Sequence, residues 1–124
     1  MLNYIVVDGG EYCDFENFRA QCNQGNVLHI LQGTYGHMKL GKCVTTDLGH
    51  FGCQSDVTGI LAEKCNRKNQ CDLDILDEKL RRTNLCDTGL KVYLEAKYAC
   101  IRGKIPLCLT NEKAAYAHIN DACI

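Results

Sequence analysis

The sequence predicts a small, disulfide-rich α+β domain, made of antiparallel β-strands with one or two short helices and long loops. The chain has 124 residues and ten cysteines, a density and an even count that are typical of a disulfide framework. Its apolar stretches are short, and those at residues 71–76 and 91–100 alternate with polar residues, as half-buried antiparallel strands do. Only one stretch combines a capping residue with clear helical spacing. A chain of this length supports one core.

The spacing of the cysteines favours disulfides over a zinc site. Zinc sites use close ligand pairs such as C-x-x-C, whereas the closest cysteines here, Cys65 and Cys71, have five residues between them. Spacing alone leaves many pairing schemes open. Because disulfides persist in oxidising compartments, we expect a secreted, extracellular protein. We also expect no metal ion or other cofactor.

Four segments have strand character. Residues 27–32 are largely apolar and β-branched, which suits a buried strand. In residues 91–100 polarity alternates, as it does in a strand with one buried face. One face of that segment carries Val92, Leu94, Ala96 and Tyr98. Residues 4–7 and 71–76 are two further candidates.

One helix is predicted over residues 57–64. Ser55 or Asp56 can cap it by accepting hydrogen bonds from the free amides of the first turn. One side of the stretch carries Val57, Ile60, Leu61 and Lys64. Gly59 weakens the helix by about 1 kcal/mol relative to alanine. A second, weaker helical stretch spans residues 111–119.

The charge balance argues against nucleic acid and membranes as partners. Lysine and arginine total 14 and aspartate and glutamate total 15, for a net charge of -1. This near-balance provides no basic surface for phosphates or anionic lipids, and no apolar run is long enough to span a bilayer. The N-terminus lacks the features of a signal peptide, so a secreted form would be the mature one.

An acidic cluster invites a calcium hypothesis, which the spacing disfavours. Asp72, Asp74, Asp77 and Glu78 lie close together in sequence. A calcium loop of the EF-hand type needs glycine at its sixth position and glutamate at its twelfth. Counted from Asp72, these positions hold Asp77 and Thr83. We therefore interpret the cluster as a solvated acidic face.

The sequence also disfavours an enzyme. Nucleophilic catalysis needs a serine or thiolate beside a base, but the one serine is the candidate cap Ser55 and the cysteines are expected to be oxidised. Glu11 and Asp14 could form the carboxyl pair of a glycosidase. Two acids three residues apart occur by chance in most chains, so this is weak evidence.

Sugar recognition requires polar groups for hydroxyls and an aromatic face for the apolar side of the ring. Tyr35 is a candidate because it follows a predicted strand and lies between Gly33 and Gly36, glycines that permit a tight turn. Tyr35 could equally pack that turn from within, and the residues alone leave both interpretations open.

The order of the cysteines over residues 13–100 resembles the rhamnose-binding lectin family, also called the sea-urchin egg lectin or galactose-binding lectin domain. Residues 34–37 read Thr-Tyr-Gly-His where the family has a Tyr-Gly-Arg motif. Residues 92–100 read Val-Tyr-Leu-Glu-Ala-Lys-Tyr-Ala-Cys and match the family's last strand except at the first position. The helix ending at Cys65 also has a family counterpart.

The resemblance implies a domain division and a disulfide scheme. Residues 1–100 would form the lectin-like domain, a compact α+β fold, and residues 101–124 a C-terminal extension. The implied pairs are Cys13–Cys43, Cys22–Cys100, Cys53–Cys86 and Cys65–Cys71. Cys108 and Cys123 lie outside the family pattern, and could pair with each other or link two chains in a homodimer.

The resemblance also implies a carbohydrate site with several departures from the family pattern. The implied residues are Asp14, Tyr35, His37, Asn84, Gly89 and Lys91. Asn84 replaces an aspartate and His37 replaces an arginine. The family's sugar-donating lysine falls on Val92, which cannot donate a hydrogen bond. Lys91 is adjacent to Val92. It can substitute for the family lysine if the loop after Cys86, which is one residue longer, changes the direction of its side chain.

The function that follows from the resemblance is that of a metal-independent lectin for L-rhamnose- and D-galactose-type glycans. Its partners would be glycans or glycoproteins ending in these sugars, bound multivalently by an oligomer. The alternative is an extracellular protein-interaction module on the same fold with a degenerate sugar pocket, which the loss of lysine at position 92 favours. Agglutination that free sugar blocks would indicate the lectin.

Overall fold

The computed structural model describes residues 4–47 and 49–102. Within this part of the chain six strands and two helices follow one another. They are β1 (Tyr4–Tyr12), β2 (Asn17–Gln21), β3 (Asn26–His37), β4 (Cys53–Asp56), α1 (Thr58–Cys65), β5 (Gln70–Asp74), α2 (Glu78–Arg81) and β6 (Tyr93–Arg102). The weaker helix predicted over 111–119 lies outside the described residues.

The strands form two antiparallel sheets. The larger sheet has the order β1-β6-β3-β4, and the smaller pairs β2 with β5. The last strand, β6, therefore lies inside the larger sheet, between the first strand and β3. The predicted class, a small disulfide-rich α+β domain of antiparallel strands with two short helices, is confirmed.

Each of the four predicted strand segments lies on or overlaps an observed strand. The strands β1 and β3 are longer than predicted, and each contains an irregularity in its pairing with β6, between Asp8 and Gly10 and between Ile30 and Gln32. These bulges interrupt the polarity alternation from which the strand lengths were predicted. The short elements β2, β4 and α2 were not predicted, because segments of four or five residues carry little periodic signal.

The helix α1 is confirmed, but the predicted cap is wrong, because the N-cap position is held by Val57, with no side-chain capping hydrogen bond, and not by Ser55 or Asp56. The helix begins at Thr58, and the Asp56 carboxylate accepts a hydrogen bond from the Thr58 backbone N–H at 2.9 Å. Ser55 does not cap the helix. It lies in β4, and its hydroxyl donates to the Thr83 carbonyl instead.

The core lies between the larger sheet on one side and α1 with the smaller sheet on the other. Its buried side chains include Phe18, Leu28, Ile30, Leu61, Leu73, Ile75, Leu94 and Tyr98. The Phe18 ring meets Tyr12 and Tyr98 edge-on, at centroid distances of 5.0 and 6.0 Å. Gly33 lets α1 approach β3, because a Cβ atom at this position would collide with the Leu61 side chain.

Four disulfides connect these elements, and they join the pairs that the family resemblance implies. The bonds are Cys13–Cys43, Cys22–Cys100, Cys53–Cys86 and Cys65–Cys71, with Cα–Cα distances from 5.2 to 5.6 Å. A bridge that closes a moderate loop adds about 2–4 kcal/mol, mainly by restricting the unfolded chain. Cys108 and Cys123 lie outside the described residues.

Two glycines should respond in opposite ways to alanine. A Cβ atom at Gly36 would collide with the Cys53 carbonyl and lie 2.7 Å from the Gln54 Cα atom, both of them backbone of the neighbouring strand. We expect Gly36→Ala to lower the free energy of unfolding by about 1–3 kcal/mol. Gly59, in α1, has open space around it, so Gly59→Ala should be neutral or stabilise by up to about 1 kcal/mol.

Chemical denaturation of the two variants beside the wild type measures both effects. A Gly36→Ala protein as stable as the wild type would mean that β3 and β4 are not packed as closely as described. The Gly59→Ala variant controls for a general effect of added methyl groups.

Candidate functional site

The candidate site residues belong to segments that meet at one end of the larger sheet. Tyr12 of β1 pairs with Leu94 of β6, Leu94 also pairs with Tyr35 of β3, and Tyr35 pairs with Ser55 of β4. These four residues form one row across the sheet. We call this end of the sheet the site end.

Three segments adjoin the site end. Asp14 follows Tyr12 by two residues, in the turn that leaves β1. Lys91 precedes the first residue of β6 by two positions. Asn84 follows Thr83, whose carbonyl accepts the hydrogen bond from the Ser55 hydroxyl. The topology therefore brings these three sequence-predicted residues to the same end of the domain.

Asp14 lies in a tightly held turn, which residues 13–16 form. The Glu16 backbone N–H donates to the Cys13 carbonyl at 2.9 Å, and the Cys13 N–H donates to the Glu16 carboxylate at 2.8 Å. Lys42 pairs with the same carboxylate at 2.9 Å. The Cys13–Cys43 disulfide fixes the start of the turn. Asp14 is half-buried, and Phe15 beside it is exposed.

Glu16 stays ionised to lower pH than an ordinary glutamate. The hydrogen bond from the Cys13 N–H is the main cause of its lowered pKa, and the hydrogen bond from Lys42 lowers it further. Both interactions favour the charged carboxylate. The turn that carries Asp14 is therefore held partly by a charge.

Tyr35 lies in the core and not at the surface. The side chain is 1% exposed, and its hydroxyl donates to the Ile75 carbonyl at 3.1 Å. Burial raises the pKa of the phenol, so it remains a donor through the neutral range. The ring is therefore covered and offers no exposed face for stacking on a sugar. Of the two interpretations left open by the sequence, the structure shows the one in which Tyr35 packs from within.

His37 is also buried, with 1% exposure. Its Nδ1 atom lies 2.6 Å from the Lys91 carbonyl, so Nδ1 carries the proton and donates it, since a carbonyl only accepts. The ring stacks on Phe51 at a centroid distance of 5.0 Å. His37 therefore holds the backbone just before β6 and does not itself reach the surface.

The position of the family lysine is occupied by an apolar residue. Val92 is half-buried and packs against the core, whereas the Lys91 side chain is exposed. Because the His37 ring binds the Lys91 carbonyl, the backbone at this point is fixed. The Lys91 ammonium is then the donor that this segment can present to a ligand.

Asn84 and Gly89 lie in the loops on either side of Cys86. The Asn84 side-chain oxygen accepts from the Cys86 N–H at 2.8 Å, so a ligand would meet mainly the amide's N–H donors. Gly89 has φ +98° and open space around it. This left-handed conformation favours glycine and lets the loop turn before Lys91.

The acidic cluster is explained by contacts within the protein. Asp72 pairs with Arg19 at 3.2 Å, Asp77 caps α2 by accepting from the Lys79 N–H, and Glu78 pairs with Arg82. Asp74 accepts from the Leu76 N–H. These bonds support the interpretation of the cluster as a structural and solvated face.

Two other candidate sites also have structural explanations. Glu11, the proposed catalytic partner of Asp14, accepts from the Cys43 N–H. Within the described residues one group of potential metal ligands occurs, formed by Cys13, Glu16 and Cys43. Its two sulfur atoms form a disulfide, so they offer no thiolate to a metal ion.

Comparisons with known proteins agree with this architecture. The family model for the D-galactoside/L-rhamnose binding SUEL lectin domain matches residues 20–100, a range that includes Asn84 and Lys91 but begins after Asp14. The mouse protein eva-1 homolog C is 26% identical over 113 residues, and the human protein of that name is 24% identical over 94 residues. These alignments cover 87% and 72% of this chain but only 24% and 21% of the relatives. The chain thus spans about a quarter of the length of the curated relatives it matches.

Acid should loosen the turn formed by residues 13–16. Because the Glu16 pKa is lowered from 4.5 in the folded protein, its contribution to stability is present above that value and is lost as pH falls through the folded pKa. Glu16→Gln keeps an oxygen for the Cys13 N–H but removes the charge. We expect the variant to lose less stability than the wild type on acidification, by less than about 1 kcal/mol because the pair is partly exposed.

Unfolding midpoints measured at neutral pH and near pH 3 test this expectation. Glu78→Gln, which removes an exposed ion pair on α2, is the matched control and should keep the acid sensitivity of the wild type. Equal acid sensitivity of the wild type and Glu16→Gln would contradict the conclusion that the charge of Glu16 stabilises the turn.

Proposed function

The chain belongs to the SUEL lectin family of D-galactoside- and L-rhamnose-binding domains, and from that premise we propose that it is a non-catalytic module that binds carbohydrate. The observation that carries the proposal is the family match across residues 20–100 on a fold that brings the segments of Asp14, Asn84 and Lys91 to one end of the sheet. Their side chains offer a carboxylate acceptor, amide donors and an ammonium donor, which complement neighbouring sugar hydroxyls.

Each of the three residues has a distinct role in this proposal. Asp14 accepts hydrogen bonds from two adjacent ring hydroxyls, Lys91 donates to one of them, and Asn84 donates from its amide. Hydrogen bonds to the charged groups are stronger than neutral ones. No metal ion is needed to hold the hydroxyls, because protein side chains supply both donors and acceptors.

The proposed ligands are glycans or glycoproteins that end in D-galactose or L-rhamnose. A few hydrogen bonds at a protein surface support only weak, millimolar binding of one sugar, because association itself costs several kcal/mol. We therefore propose that the protein acts multivalently, as a homodimer or larger assembly, since linked sites raise the overall avidity. Cys108 and Cys123 could provide such a link between chains.

An extracellular location belongs to the same proposal. Four disulfides within the described residues suit an oxidising compartment. In the part of the chain that the structure describes, no helix has the length and hydropathy to cross a membrane.

A second candidate function is that of a protein-interaction module. Val92 packs on the core where the family has its sugar-binding lysine, and Tyr35 and His37 are buried. Leu85, next to Asn84, is 77% exposed, so the site end also has apolar surface for a protein partner. Binding to such a partner would be unaffected by free sugar, whereas lectin-mediated agglutination would be blocked.

Titration with L-rhamnose and D-galactose, followed by residue-resolved NMR, tests the proposed function. We expect saturable shifts at Asp14, Asn84 and Lys91 that persist in a metal chelator. Asp14→Asn should weaken binding about tenfold, because it replaces a charge-assisted hydrogen bond of about 1.5–3 kcal/mol by a neutral one of about 0.5–1.5 kcal/mol.

Glu63→Gln is the matched control, because Glu63 is an exposed acid on α1 that pairs with Lys79. This variant should bind like the wild type. Absence of shifts at tens of millimolar sugar would rule out a site for L-rhamnose and D-galactose, and would favour the protein-interaction module or a site for different glycans.

A further inference from the structure

Phe15 is an exposed aromatic side chain in a rigid setting. Its side chain is 81% exposed, whereas Phe18, Tyr35 and Tyr93 are at most 1% exposed. Phe15 is the one aromatic among the exposed large hydrophobic side chains of the described residues. Phe15 therefore contributes little to the core, and its solvent-facing ring is available to a ligand.

The turn that carries Phe15 is fixed before any ligand arrives. The hydrogen bonds between Cys13 and Glu16 close it from both sides, and Lys42 and the Cys13–Cys43 disulfide hold it to the rest of the domain. Asp14, which is half-buried, and Phe15, which is exposed, are the two central residues of this turn, so they are neighbours at one corner of the chain. One pre-ordered turn thus carries both a carboxylate and an exposed ring.

We infer that Phe15 is the stacking platform of the sugar site. This inference rests on the proposed function and deepens it, since it assigns the aromatic contact that Tyr35 cannot make. A pyranose has hydroxyls around its rim and C–H groups on its faces. D-galactose and L-rhamnose both offer a face with a run of C–H groups that can lie on the ring, while Asp14 binds hydroxyls at the rim.

The contact also explains why a rigid turn matters for so small a ligand. A sugar has little apolar area, so one aromatic contact is a large part of what it can gain by binding. Ordering a mobile loop would cost a comparable amount. Because the turn is already ordered, the contact with Phe15 is not offset by that cost.

Phe15→Trp provides a direct test, because the chain has no tryptophan. The variant is then a single-tryptophan reporter at the platform. Titration with D-galactose and with L-rhamnose should shift its emission to the blue and saturate at the concentration that saturates the NMR shifts of Asp14. Galactitol, a linear polyol with hydroxyls but no ring face, should leave the emission unchanged.

Two further variants separate stacking from simple apolar contact. Phe15→Ala should weaken sugar binding about tenfold, and Phe15→Leu, which keeps apolar area without a flat ring, should weaken it nearly as much. Both should unfold at the wild-type midpoint, since the side chain is exposed. Leu31→Ala, on an exposed leucine of β3, is the matched control and should bind like the wild type.

The outcomes distinguish this inference from the proposed function. If the wild type binds sugar while Phe15→Ala or Phe15→Leu binds as tightly and the tryptophan emission stays flat, the platform is overturned and the lectin function stands. If neither the wild type nor Phe15→Trp responds to sugar, both are overturned. Loss of binding in the alanine and leucine variants, with a blue shift in the tryptophan variant, supports the platform.

Discussion

The hydrogen bond from the buried Tyr35 hydroxyl to the Ile75 carbonyl is the contact on which the arrangement of the site end depends. Tyr35 belongs to the larger sheet, and Ile75 directly follows the last strand of the smaller one, so this bond joins the two. A buried hydroxyl needs such a partner, which fixes the chain just before α2. The bond from Ser55 to Thr83 fixes it just after α2. The position of Asn84 relative to the sheet follows from these two anchors.

The disulfides divide between the two ends of the domain. Cys22–Cys100 and Cys65–Cys71 connect elements around the core, whereas Cys13–Cys43 and Cys53–Cys86 hold loops at the site end. Loops without regular structure cannot rely on a ladder of backbone hydrogen bonds, and a domain of this size has little core to hold them. The two disulfides at the site end therefore hold these loops in position, as packing against the core holds the strands.

The sequence predicted the fold better than it predicted the site, and the reason is physical. The alternation in residues 91–100 indicates a strand with one buried face, and the resemblance of the cysteine order to a known family implied the disulfide pairs, so β6 and the disulfide framework were predictable. The burial of the Tyr35 side chain was not predictable. Near its end β3 is buried on both faces, and a pattern of polarity then does not indicate which way a ring points. The exposure of Phe15 depends on a turn that Glu16 and Lys42 close. A polarity pattern does not reveal these contacts, because Lys42 is distant in sequence and the hydrogen bond between Cys13 and Glu16 forms in one turn geometry.

A family can keep its fold while its binding surface changes, because different residues support each of them. In this chain Tyr35 and His37 are fully buried and Val92 is half-buried, and these side chains stabilise the sheet and the loop before β6. In the proposed function the ligand contacts come instead from residues that the core does not need, in turns that disulfides and hydrogen bonds hold in place. Such residues can be exchanged at little cost in stability, so the specificity of this surface can change while the framework beneath it stays constant.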